Sequence, residues 1–198
     1  MGLQETRPEV LEISALRSHL VGTIVWVGGT VMDTEPVRPC IAEACFRCGK
    51  CGRESALPQD PVSAVLIEPG GCLGRGSCGA SSRQMKARLV EGKSRSVDRL
   101  VFNLVWKRSR LPVVLLGPAV ERAVPNYTPV RVKGSPHIDV SAAIHRVKRR
   151  RSPVVGFRLV GERISRDLRF LDPETDRGQQ IQRLLSETMT NTLNDGSG

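Results

Sequence analysis

Three features of this sequence predict a mainly β protein: a small barrel, an insertion pinned by cysteines, and a C-terminal helix. Short β-branched runs punctuated by Gly and Pro recur between Thr23 and Val160. Four cysteines in mid-chain, Cys48, Cys51, Cys72 and Cys78, form a Cys-x2-Cys pair, a 20-residue insert and a Cys-x5-Cys pair. Beyond Asp172 the apolar period changes from two to that of a helix.

Taken in order, the chain opens with a polar lead. A short helical segment is predicted from Ser14 to Leu20, with Ser14 as its N-cap. Thr23 to Val31 is a β-branched run interrupted by Gly28 and Gly29, and its apolar character on both faces suits a strongly bent barrel strand. A second strand, from about Val37 to Phe46, leads into the first cysteine pair. Gln59 to Pro69 forms a connecting arm with Val62, Ala64, Val65 and Ile67 available to pack.

After the second pair, Arg88 to Glu91 and Leu100 to Trp106 return the chain to the barrel. Pro112 to Leu116 is another strand, Pro118 to Val124 a short helical turn, and Pro125 to Pro129 a loop. Val130 to Gly134 alternates strictly, as a half-buried strand does, and Val154 to Val160 is the last strand. Asp172 caps the final helix, Pro173 occupies its first turn, and Ile181, Leu184, Leu185 and Thr188 share one face. Five or six strands around one barrel with an insertion between two of them is the arrangement of an OB-fold. The expected division is 1–46 and 84–170 for the barrel, 47–83 for the insertion, and 171–198 for the helix and tail.

The cysteine spacing reads as one tetrahedral zinc site. Four thiolates at about 2.3 Å satisfy the ion and leave no position for a reactive water, so the site is structural. Free or oxidised cysteines are the alternative, and Cys40 and Cys45 keep it open, because Cys45, Cys48 and Cys51 also form a Cys-x2-Cys-x2-Cys run. The first ten residues are polar and charged, unlike a secretory leader, which favours metal over disulfides.

Thirty Lys and Arg stand against twenty Asp and Glu, for a net charge of +10, and 24 of the thirty are Arg. Arg is the side chain that forks onto phosphate, and such an excess points to nucleic acid. No apolar run reaches the ~18 residues of a membrane span, so neither a membrane protein nor a membrane partner is expected. The expected location is the cytoplasm, near the nucleoid, or the nucleus if the source is eukaryotic. His19, His137 and His145 form no ligand or catalytic spacing, and no Gly-x4-Gly-Lys-Ser/Thr phosphate loop occurs. An enzyme is not expected.

The stretch from Leu16 to Cys51 resembles the start of the OB domain of the minichromosome maintenance (MCM) replicative helicases. The resemblance is carried by Gly22, Val25, Val27, Gly29, Val31, Val37, Arg38, Pro39, Phe46, Cys48 and Cys51. At lower fidelity it continues to about Leu185, with Cys72 to Gly79 in place of the second zinc pair. It implies an N-terminal domain that encircles DNA in a hexameric ring, with this chain as a homo-oligomer or a partner of other MCM subunits. Three departures stand out. The helical subdomain that precedes the barrel in the family is missing, Lys107 to Leu111 leaves the intersubunit loop short, and no AAA+ motor follows.

The same resemblance places a hairpin with a basic tip at His145 to Arg151. Arg146, Lys148, Arg149, Arg150 and Arg151 are therefore candidate contacts to DNA phosphates, with Arg38 and Arg47 as secondary candidates. The bland readings are a solvated charge run and, for Arg38 and Arg47, ion pairs with Glu35 or Glu43. Aromatic residues make up 4% of the chain, too few for a surface that binds single strands mainly by stacking. A zinc-ribbon and OB protein that binds structured RNA, as a ribosome or transcription accessory, would use the same charge and cysteines.

Overall fold

A computed structural model describes residues 9–72, 78–139 and 156–171. The chain divides into two compact units, one made of Met1–Glu35, Val101–Val114 and Arg122–Gly198, the other of Pro36–Leu100 and Leu115–Glu121. The strands are β1 (Val10–Leu11), β2 (Val25–Met32), β3 (Arg38–Arg47), β4 (Glu54–Pro58), β5 (Arg88–Leu89), β6 (Arg95–Trp106), β7 (Ser109–Leu116), β8 (Pro129–Asp139) and β9 (Gly156–Arg166), with one short helix, α1 (Ser82–Met85). Among the described residues no helix is long and apolar enough to cross a membrane.

The first unit is built on a closed ring of pairings. β2 runs antiparallel to β8 from Val25 opposite Gly134 to Thr30 opposite Pro129. β8 continues against β9, β9 lies beside β7 and β7 beside β6. β6 returns to β2 through Thr30 opposite Val105 and Val31 opposite Leu104. Counted in chain order, the five strands close as 1-4-5-3-2-1, which is the Greek-key order of an OB barrel. Alternate residues fill the interior: Val27 and Val31, Phe102 and Leu104, Leu111 and Val113, Val130 and Val132, and Leu159 are all buried. Each strand thus contributes the period-two pattern that a barrel interior requires.

The two-faced apolar character of β2 has a specific cause. On the outer side of the strand, Thr30 donates its hydroxyl to the Phe170 carbonyl at 2.6 Å, and the Phe170 ring occupies the space where a Gly28 Cβ would lie, 2.0 Å from its nearest atom. The turn over Leu168–Phe170 that follows β9 therefore caps this face of β2. Trp106 meets the Phe170 ring edge-on, with centroids 5.1 Å apart. Trp26 lies under the Arg131 guanidinium at 4.8 Å, so both tryptophans are engaged within the fold.

Several expectations need correction. The segment from Ser14 to Leu20 is not one helix but two single 3-10 turns, Ile13–Ala15 and Ser18–Leu20, and Ser14 caps neither; its hydroxyl donates to Glu12. Ile13 and Leu16 are the buried anchors, and their spacing of three suits the tighter turn. β6 begins five residues before Leu100, and β7 starts at Ser109, so the β6–β7 connection is a tight turn of two residues with Lys107 at φ 54°. Val65 and Ile67 do not pack: they are 55% and 53% exposed, as is Leu66 at 45%. The expected C-terminal helix lies outside the described residues.

In the second unit β3 is central. It pairs with β4 from Glu43 opposite Pro58 to Arg47 opposite Glu54, with β5 at Phe46 and Arg47, and with the first half of β6. β3 takes no part in the barrel ring. Beneath it Ala44, Phe46, Cys48, Ala80 and Met85 form a small core, flanked by Ile41, Leu57, Ala87 and Leu89.

Candidate metal centre

Cys48 follows the last residue of β3 and belongs to that small core. Its N–H donates to the Arg53 carbonyl, and its own carbonyl accepts from Gly52, each at 2.8 Å, closing a turn that brings Cys51 back over Cys48. Gly52, at φ +70°, sits in the left-handed region that the turn needs. Gly49 donates to the Met85 carbonyl at 2.8 Å, and a Cβ there would lie 3.0 Å from the Met85 and Lys86 carbonyl oxygens. Glycine thus permits the close approach of the two arms.

The second arm is a short antiparallel clasp. Cys72 donates to the Ala80 carbonyl at 2.8 Å, Ser82 to the Gly70 carbonyl at 2.9 Å, and Gly71 bridges Ser81. Ser81 and Gln84 form a capping box that starts α1, whose Met85 is 1% exposed beneath the knuckle. Residues 73–77, between Cys72 and Cys78, lie outside the described residues.

These two clasps bring four Sγ atoms within 4.8 Å of one another. Cys48 and Cys78 are 3.8 Å apart, and Cys51 and Cys72 are 3.7 Å apart. A tetrahedron with metal–sulfur bonds of about 2.3 Å has edges of about 3.8 Å, so both opposite edges already have the right length. The distances are far from the ~2.05 Å of a disulfide. The four cysteines paired by their spacing in the sequence are the four that come together, and Cys40 and Cys45 stand outside the cluster. Cys45 is buried within β3, and Cys40 contacts the Pro61 carbonyl at 3.7 Å.

Cys51 and Cys72 do not ionise together. The Arg53 backbone N–H, aided by hydrogen bonds from the other three thiols, brings Cys51 down to about 7. For Cys72 a hydrogen bond from the Cys78 backbone favours the thiolate. Burial and the neighbouring thiols outweigh it and push the group up to about 11. Protons therefore leave the site over a wide range, and a metal arriving near neutrality must displace those that remain. Metal affinity is expected to rise with pH, by up to about tenfold per unit for each proton displaced. Chelator competition between mildly acidic and mildly alkaline buffer checks this, and a flat profile would contradict thiolate ligation.

The basic candidates fare differently. Arg47 donates through Nε and Nη2 to Glu54, at 3.1 and 2.7 Å, and Lys93 shares the same carboxylate. Lys93 and Arg47 together hold the Glu54 carboxyl below its usual range. The ion-pair reading of Arg47 thus holds, with Glu54 as partner in place of Glu35 or Glu43. Arg38 is exposed at the start of β3. Arg146, Lys148, Arg149, Arg150 and Arg151 lie outside the described residues.

A closed five-stranded OB barrel and a four-cysteine knuckle define the class of this protein. The profile of the MCM OB domain matches residues 12–113, or 102 of the 198, and the chain belongs to that family. Among solved structures, the crystal structure of the N-terminal domain of an archaeal MCM matches with a TM-score of 0.61 at 21% identity, over 80% of this chain and 61% of that one. The match thus spans less than two thirds of that structure, and at this identity it shows the fold. No curated protein sequence matches the chain. What matches is the OB domain.

Proposed function

We propose that this chain is an MCM-like N-terminal domain protein that binds DNA nonspecifically through phosphate contacts in DNA replication. Its place is the nucleoid, or the nucleus in a eukaryote. The observation that carries the reading is the family match over residues 12–113, which takes in both the first barrel strands and the cysteine knuckle. The metal is zinc, because four convergent thiolates form the donor set that zinc takes in structural sites. Cys48, Cys51, Cys72 and Cys78 would hold it, and it would tie the two arms together over the small core without supplying chemistry to a substrate. Assembly follows the family, as a homo-hexameric ring or with other MCM subunits.

Affinity comes from electrostatics, given a net charge of +10 and a 4% aromatic content. We assign the phosphate contacts to Lys148, Arg149, Arg150 and Arg151, with Arg146 secondary. Each phosphate neutralised on a single strand contributes about 0.7 to the slope of log affinity against log salt, so four contacts contribute roughly 3. Changing all four to Ser should flatten the slope by that amount and weaken all sequences alike. Fluorescence anisotropy over a salt series measures it. A folded variant that keeps both affinity and slope overturns the assignment, and preference of the wild type for folded RNA overturns the DNA reading.

A further inference from the structure

The second unit contains a cavity of about 300 Å³ away from the cysteine knuckle, lined by Arg38 and Arg99, by Gln59 and Asp60, and by Val65 and Leu66. Arg38 and Arg99 stand directly opposite each other across the β3–β6 ladder. Like charges in that relation repel unless an anion lies between them. Among the described residues neither guanidinium has a carboxylate partner. Arg99 reaches the Val62 carbonyl through Nη2 at 3.4 Å, while its Nε is buried without a hydrogen-bond partner. A buried donor on a charged group is costly to leave unmade.

The acid in the wall does not answer this need. The Asp60 carboxylate accepts the N–H groups of Val62 at 2.9 Å and Ser63 at 3.3 Å, so it is committed to its own turn. The remaining wall is aliphatic and held in place. Gln59, 9% exposed, donates to the Ile67 carbonyl at 3.0 Å and accepts the Ile67 N–H at 2.7 Å, which clamps the segment from Val65 to Ile67 by its backbone. That clamp fixes the backbone next to Val65 and Leu66, whose side chains are about half exposed.

We propose that this cavity binds an acidic, aliphatic peptide segment of a partner protein. A carboxylate of the peptide would sit between Arg38 and Arg99, and its neighbouring aliphatic side chains against Val65 and Leu66. Guanidinium forks match carboxylates bidentately, and the two facing guanidinium groups supply that chemistry here. Nucleic acid fits less well, because the half-exposed aliphatic side chains of Val65 and Leu66 offer a sugar–phosphate backbone nothing to pack against. The inference does not depend on DNA binding at residues 146–151.

The test uses the full chain with two short fluorescein-labelled peptides, one alternating leucine with glutamate and one alternating leucine with glutamine. Anisotropy is expected to show the glutamate peptide binding about tenfold more tightly, since a charge-assisted pair is lost in the other. Arg99→Gln and, separately, Leu66→Ser should each weaken the glutamate peptide about tenfold, and oligothymidylate should not displace it. Leu66 lies on the surface, so its variant decides the matter even if Arg99→Gln fails to fold. Equal binding of the two peptides, or full affinity in Leu66→Ser, overturns the proposal. Displacement by oligothymidylate also overturns it and makes the cavity part of a nucleic-acid path.

Discussion

Replacing Cys72 with serine is expected to take the protein from about one bound zinc per chain to none, and to unfold the knuckle. The small core beneath the site has five buried side chains, Ala44, Phe46, Cys48, Ala80 and Met85. So few apolar groups offset little of the entropy of ordering the arms around them, and subdomains of this kind depend on the metal. Structural zinc in small domains supplies on the order of 10–16 kcal/mol. A serine hydroxyl does not ionise near neutrality, so the ligand set drops to three thiolates and the clasp between Cys72 and Ala80 loses its anchor. The barrel strands β2, β6, β7, β8 and β9 contain no cysteine, and their far-UV signal should persist. Metal analysis of the purified variant, with hydrogen exchange localising the loss, reads the outcome. Cys40→Ser is the control and should keep its zinc. A Cys72→Ser protein that retains stoichiometric zinc would remove Cys72 from the site.

Much of this site was legible because metal ligation is short-ranged and spaced. The pairs at 48 and 51 and at 72 and 78 carry their own turns, with Gly49, Gly52 and Gly79 where backbone amides must approach or φ turns positive. The partner of Arg47 could also have been found locally. A knuckle that folds β4 back on β3 sets residue 47 opposite residue 54, which is an acid. The strands of the barrel were visible as β-branched runs, but their closure was not. It depends on β2 meeting β6 some seventy residues later in the chain, through three residue pairs with no local signature.

The cavity at Arg38 and Arg99 was hidden for a related reason. Its register follows from an irregularity between Ile41 and Glu43, which no pattern of hydrophobicity announces. The expectation that Val65 and Ile67 pack failed because apolar residues usually seek burial, whereas here Gln59 holds their backbone from inside and leaves the side chains outside. Phe170 was missed because it lies just before the predicted helix. The missing signal was the Gly28–Gly29 pair within a strand, which marks a place where something bulky comes close.

That close approach supports the second large effect. Phe170→Ala is expected to cost about 3–5 kcal/mol, as for other buried aromatic truncations, with the edge-on contact to Trp106 included in the loss. Gly28→Ala is expected to cost about 1–3 kcal/mol, because its new methyl would stand 2.0 Å from the Phe170 ring and force it off β2. Together the two changes should cost less than their sum, by on the order of 1–3 kcal/mol, since in the double variant the alanine methyl at 28 occupies space the ring has vacated. Against a typical domain stability of about 5–15 kcal/mol these are large fractions, readable by urea denaturation. Thr30 separates the ring from the backbone around it. Thr30→Val removes the hydrogen bond to the Phe170 carbonyl, while keeping the volume on β2, and should cost less than Phe170→Ala. If the costs of Gly28→Ala and Phe170→Ala simply add to within about 0.5 kcal/mol, the ring and the glycine do not share that space, and the cap over β2 is placed wrongly.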